Sequence, residues 1–197
     1  MTSNAALGPA AELDGATLGG DLAGIRAPDA NLLECTLHDA DLDGSDLRGS
    51  RWVDCTLSSL RGTGTDLSSS RWVDCEIRGS RLGAVQLHGA TLHRVRFIGV
   101  RLDLPNLRAA SLREVELVDC QLIEPDFADA VWRHVRLDGC RLVEPDFRGM
   151  SCEEVDLTGA ELVAPRGIAG LKGARVSRVQ LLDLAEPLAK DLGIEVV

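Results

Sequence analysis

From Leu22 to Leu162 every fifth residue is Leu, Phe, Trp or Ile except Ala27, Gly62 and Cys152, and the phase holds over 29 positions. That period fits neither the ~3.6 of an α-helix nor the ~2 of a simple strand. The residue two before each of these centres is nearly always small, running Ala30, Cys35, Ala40, Ser45, Ser50, Cys55, with Ile25, Leu60 and Met150 as large exceptions. The residue just before each centre is mostly polar, often Asp, Asn or Arg. Two inward and three outward positions in five describe a chain that turns a corner at every pentamer.

Four corners close a square coil, and the sequence carries that longer period as well. "RWVDC" occurs at 51–55 and again at 71–75, while "QLIEPDF" at 121–127 is followed by "RLVEPDF" at 141–147. Two such pairs at one spacing of twenty residues indicate an internal repeat. Cys35, Cys55 and Cys75 share a column with Val95, Val115, Val135 and Val155, and Pro105, Pro125 and Pro145 fill another. A third reads Ala30, Ser50, Ser70, Ala90, Ala110 and Ala130, and only beside it do the centres become Trp52, Trp72 and Trp132. The bulk of Trp is offset by the small neighbour, as close packing requires.

The units "ANLLE" at 30–34, "ADLDG" at 40–44, "SDLRG" at 45–49 and "AELVA" at 160–164 follow the pattern A(D/N)LXX. Over residues 20–164 the chain resembles the pentapeptide-repeat family. The resemblance implies an all-β solenoid, a right-handed quadrilateral β-helix with its centres stacked inside. Seven or so coils at about 4.8 Å each would make a rod roughly 35 Å long. The predicted organisation is a flexible N-terminal tail over 1–11, the β-helix over 12–164 with an imperfect first coil at 12–21, and a helical cap over 165–197. In that last segment, Ser177 and Gln180 form a capping-box pattern and Gly193 is a natural stop. Leu181, Leu184, Leu188 and Leu192 make one apolar stripe, read as a cap that also dimerises. Pro187 predicts a kink or a helix in two pieces.

Little in the chain suggests catalysis. His38, His88, His93 and His134 fall in outward slots on different columns or coils, with no nucleophile–base constellation and no Gly-rich phosphate loop. The cysteine columns read as buried small residues, and no cofactor or metal is expected. No apolar run approaches the ~20 residues of a membrane span, and the N-terminus lacks the pattern of a secretory signal, so a cytoplasmic protein without membrane association is expected. A net charge of −10 disfavours direct nucleic-acid binding and suits a basic partner. The charge is banded: −8 over residues 12–76, +6 over 77–113 and −9 over 114–161.

Within its family the chain is most similar to the MfpA and Qnr type, on its length, its acidic rod, "WVDCEI" at 72–77 and the "GARV…QLL" exit into a C-terminal helix. That resemblance implies a non-catalytic DNA mimic. It would form a tail-to-tail homodimer and bind DNA gyrase or topoisomerase IV in place of duplex, inhibiting the enzyme or protecting it from quinolone-like inhibitors. Two rods end to end would span about 70 Å, near two turns of B-DNA at ~34–36 Å each. The columns stack Asp126 on Asp146, with Glu124 and Glu144 at the neighbouring corner, all four read as outward carboxylates for that partner. Arg78, Arg81, Arg94, Arg96, Arg101, Arg108 and Arg113 depart from a uniformly negative mimic. A scaffold for a different protein partner is the alternative reading.

Overall fold

The computed structural model describes residues 7–195, and they form a parallel β-solenoid of about eight turns closed by one C-terminal helix. One coil shows why the period is five. Asn31–Leu33 is a three-residue strand, so alternation points Leu32 inward and its neighbours outward. Glu34 then takes a left-handed φ of 52°, which turns the chain, and Cys35 lands inside the corner. Thr36 begins the next side.

Four sides follow in order. The first stacks Glu12–Asp14, Asn31–Leu33, Arg51–Val53 and their successors to Ser151–Glu153 into an eight-stranded parallel sheet. The second carries Thr36, Thr56, Glu76 and Arg96, and the third carries Arg61, Arg81 and Arg101, each in register with the coil above. The fourth is thinner, a series of single bridges from Arg26 through Asp46, Asp66, Gln86, Asn106, Asp126 and Asp146 to Arg166.

Each coil is bonded to the next through the corner as well as the strand: the Glu34 N–H donates to the Val53 carbonyl at 2.9 Å, and Asp54 to Val73 at 3.0 Å. Residues 12–21 do form the first coil, because Glu12–Asp14 pairs with Asn31–Leu33 and Thr17–Asp21 with Thr36–Asp41. Residues 7–11, expected within a flexible tail, are held against the first coils. Leu7 is buried and the Ala10 N–H donates to the Pro28 carbonyl at 2.8 Å, so the chain is held from residue 7, while residues 1–6 lie outside the described residues.

The interior is apolar and continuous, and its aromatic steps show how the columns cooperate. Trp52 and Trp72 stack with ring centroids 4.7 Å apart, and Phe127 stacks on Phe147 while meeting Trp132 edge-on. Beside the first two indoles the small residue does more than make room. Ser50 Oγ accepts the Trp52 Nε1–H at 2.8 Å and donates to the Leu47 carbonyl, and Ser70 does the same for Trp72. Ala130 occupies that position beside Trp132, whose buried Nε1–H has no partner. Leu60 and Gly62 exchange the usual sizes of their positions. Leu60 fills the interior, whereas a Cβ on Gly62 would lie 2.8 Å from the Leu42 carbonyl carbon.

The C-terminal cap begins with a 3₁₀ turn at Ile168–Leu171, pressed so close that a Cβ on Gly170 would collide with the Phe147 carbonyl oxygen. The helix α1 (Arg178–Asp191) starts at a complete capping box between Ser177 and Gln180. It ends in a Schellman turn, Gly193 donating to Lys190 and Ile194 to Ala189. Pro187 lies within a single helix rather than between two pieces. Gln180 Nε2 donates to the carbonyls of Leu157 and Ala160 at 2.6 and 2.5 Å, so the helix satisfies backbone acceptors left open by the last coil.

Two substitutions test this packing. Trp72→Ala should cost about 3–5 kcal/mol by emptying a coil. Ala130→Ser should stabilise by about 1 kcal/mol by giving the Trp132 Nε1–H an acceptor. Chemical denaturation reads both, and an unchanged midpoint for Ala130→Ser would show that the indole proton needs no partner.

Candidate protein-interaction surface

The outer surface is a grid of columns in which polar side chains serve the backbone before they can serve a partner. The Asp or Asn just before a centre turns back on the chain: Asp126 Oδ1 accepts the Ala128 N–H at 2.9 Å, Asp146 the Arg148 N–H at 3.0 Å and Asn106 the Arg108 N–H at 3.1 Å. Such side-chain-to-backbone bonds stabilise a turn that lacks a helical or sheet partner. This is the physical content of the D/N position in the repeat.

Asp126 and Asp146 do stack, as the columns require. They are not the free outward carboxylates that the sequence suggested. Asp146 is only 5% exposed and lies in a bidentate pair with Arg148, and Asp126 pairs with Arg108 at 2.9 Å. The hydrogen bond from Arg148 holds the Asp146 carboxyl below its ordinary pKa. Asp46 is lowered in the same way by Arg48. Glu124 and Glu144 are exposed at a left-handed corner, φ 48° and 50°, with no ion pair among the described residues. Of the four carboxylates, these two are available to a partner. At another corner Glu34 and Asp54 are likewise exposed and unpaired, one rung apart and directly below Asp74.

The arginine band is largely neutralised by its neighbours. Arg96 bridges Glu76 and Glu116 on the coils below and above, both at 3.2 Å. Arg94 holds Asp74, Arg101 holds Asp103, Arg113 holds Glu114 and Arg78 holds Glu76. Arg81 makes no ion pair among the described residues, although Arg61 and Arg101 lie directly beside it in register.

The leucine stripe of α1 divides. Leu184 is buried at 4% exposure against the last coil and Leu188 is half-buried, so both act in the cap. Leu181 and Leu192 face outward at 53% and 65%, joined by Val179 and Leu182, which sequence reasoning missed. Between α1 and the last coil lies an open cleft of about 1090 Å³, lined by Glu144, Arg148, Arg166, Asp183, Lys190 and Asp191.

No cluster of His, Cys, Asp or Glu among the described residues has the arrangement to hold a metal ion. The thiols point into the wall: Cys55 Sγ donates to the carbonyls of Val53 and Leu32, and burial raises the Cys152 thiol to about 11. The neighbouring Cys75 thiol and burial both push Cys55 upward. Raised values at Cys55 and Cys152 disfavour the thiolate that redox or nucleophilic chemistry requires, whereas the hydrogen bond with Cys55 lowers Cys75 and that with Cys140 lowers Cys120, both inside the wall. No helix of the described residues is long and apolar enough to cross a membrane.

A family model described as pentapeptide repeat region matches residues 70–147 and 90–164, and a second, pentapeptide repeats in eight copies, matches 11–51. This chain belongs to the pentapeptide-repeat family. Among solved structures it is similar to HetL, a pentapeptide repeat protein involved in heterocyst differentiation regulation from Nostoc sp. strain PCC 7120. The two are 18% identical with a TM-score of 0.51, over 87% of this chain and 90% of HetL. QnrB1, a plasmid-mediated fluoroquinolone resistance protein, matches at 17% identity over 97% of this chain and 99% of its own, with a TM-score of 0.34. The likeness to HetL concerns the fold. No curated protein sequence matches the chain.

The buried Asp146 gives a pH-dependent prediction. Its carboxyl is depressed in the folded state, so its contribution is present above the unfolded value of ~3.9 and is lost as pH falls below that through the folded pKa. Asp146→Asn should keep the turn acceptor and flatten that acid limb. Asp146→Ala should cost about 1–3 kcal/mol at neutral pH. Thermal melts across the acid range distinguish them, and identical limbs for parent and Asn variant would remove Asp146 from the account.

Proposed function

We propose that this protein is a non-catalytic rod that binds a type II topoisomerase, DNA gyrase or topoisomerase IV, as a mimic of duplex, modulating the enzyme or protecting it from quinolone-like inhibitors. The observation that carries this reading is the set of unpaired carboxylates at the corners of a loopless rod, Glu34 and Asp54 near one end and Glu124 and Glu144 near the other. They sit on a stiff scaffold at a repeat of about 4.8 Å, in a chain of net charge −10. A basic DNA channel attracts such a surface, and the attraction falls steeply with salt.

The rod works in this proposal as a cytoplasmic homodimer. Joined at the α1 ends through Leu181, Leu182 and Val179, two copies would extend the acidic surface to about 70 Å, as a duplex of two turns would, at ~34–36 Å per turn. A regulatory scaffold for another protein is the second reading. It is favoured by the stretch 77–102, which contains no Asp or Glu and interrupts continuous imitation of a phosphate backbone.

A supercoiling assay with purified gyrase, with and without a quinolone, tests the topoisomerase reading. The parent should inhibit supercoiling or restore it in the presence of drug, and Glu34→Lys, Asp54→Lys, Glu124→Lys and Glu144→Lys together should abolish the effect without loss of β-type circular dichroism. No effect of the parent on gyrase in this assay, nor on topoisomerase IV in a matching decatenation assay, would move the assignment to the scaffold reading. For the dimer, Leu181→Asp with Leu182→Asp should halve the mass seen by light scattering, whereas Leu184→Asp should loosen the cap itself. A parent already monomeric at high micromolar concentration would remove the dimer.

A further inference from the structure

The first and third sides are opposite walls of the square. Sliding one copy sideways sets the third side of that copy against the first side of the next. Chain direction reverses between opposite walls, so this movement brings the column of Arg61, Arg81 and Arg101 opposite Leu33, Val53 and Val73, one residue from the corner of Glu34, Asp54 and Asp74 and within reach of a long guanidinium side chain. Both columns repeat once per coil, so their rungs match at about 4.8 Å without adjustment.

We propose that a second copy of this chain docks here, its arginine column on the carboxylate corner of the first, in a lateral contact separate from the α1 end. The pairing of rungs selects one register. With Asp54 opposite Arg81, two groups without an ion pair of their own among the described residues meet. In the same register Glu34 meets Arg61, Asp74 meets Arg101, Glu114 meets Arg141 and His134 meets Glu161, each of these sharing a group already paired within its own copy, while Arg94 meets the neutral Gln121. Sliding by one coil in one direction sets Arg94 against Arg101 and Glu34 against Asp41. Sliding the other way sets Arg94 against Arg141 and Glu114 against Glu161. Like charges at contact destabilise, so the complementary register is the one that associates.

Two further features fit a close approach of these walls. Arg81 has no carboxylate partner of its own, although it is stacked between two other arginines, and an opposed Asp54 supplies one. Beside the carboxylates runs an apolar strip, Leu33, Val53 and Val73, with Leu33 exposed. It falls opposite the arginine column itself, whose aliphatic stems can lie along it while the guanidinium groups reach the corner carboxylates.

Six rungs and a width of about 10 Å give roughly 300 Å² per copy, below the ~800 Å² of a standard stable interface. The contact is therefore weak and salt-sensitive. Because it joins unlike faces it does not close, so it builds open lateral rows.

Cysteine cross-linking in the full chain reads the register directly. Asp54→Cys and Arg81→Cys proteins are mixed at low salt under copper–phenanthroline, with the parent as control for its own buried thiols. The mixture should give the mixed disulfide dimer in several-fold excess over what either protein forms alone, declining toward about 0.5 M salt. Asp74→Cys mixed with Arg61→Cys, which belongs to a register with Arg94 against Arg81, should give no excess. Mixed cross-linking no greater than the single proteins show, or equal yields from both pairs, would overturn the proposal. If Asp54→Cys distorts its corner, circular dichroism exposes it, and a second readout stands: Arg81→Glu should abolish the concentration-dependent rise in sedimentation coefficient at low salt, and adding Asp54→Arg protein should restore it.

Discussion

The architecture depends on the left-handed corner. Twenty described non-glycine residues hold a positive φ, a conformation costing each on the order of 1 kcal/mol. They persist because the corner N–H donates to a carbonyl one coil away, as Asp74 does to His93 and Glu114 to Arg133. A corner is stable only when the next coil is in place. No single pentamer can fold alone, which is why the coils must stack into a rod and why both ends need covering, by Leu7 at one and by Gln180 and Leu184 of α1 at the other.

The same economy shapes the surface. A carboxylate before a centre caps its own turn, and an arginine two residues later often neutralises it, as Arg48 does for Asp46 and Arg148 for Asp146. Column charges along the second side alternate between coils, with Arg96 held between Glu76 and Glu116. The formal charge of the rod therefore overstates what a partner meets. The carboxylates left for recognition include Glu34, Asp54, Glu124 and Glu144, exposed on left-handed corners without an ion pair among the described residues.

The inward columns were legible in the sequence because burial demands apolar residues at a fixed period, and the capping box of α1 was legible because its chemistry is local. Three things were not. The role of Asp146 depends on a turn and a neighbouring guanidinium, neither of which a column of letters shows. The use of Ser50 and Ser70 as indole acceptors was hidden behind their small size. The division of the leucine stripe between Leu184 and Leu181 depends on how α1 lies across the last coil, and its sequence period alone does not settle that.

The central claim is that twenty residues, one full circuit of four corners, is the structural unit, and a pair of deletions tests it most directly. Removing residues 81–100 takes out one coil and leaves every remaining column aligned. Removing 81–85 preserves the inward phase but rotates all later coils by one side, placing Trp and Pro columns on foreign partners. The first protein should unfold cooperatively near the parent midpoint and be about 4.8 Å shorter by small-angle scattering; the second should lose much of its stability. Equal tolerance of both deletions, or collapse of the first, would contradict the account.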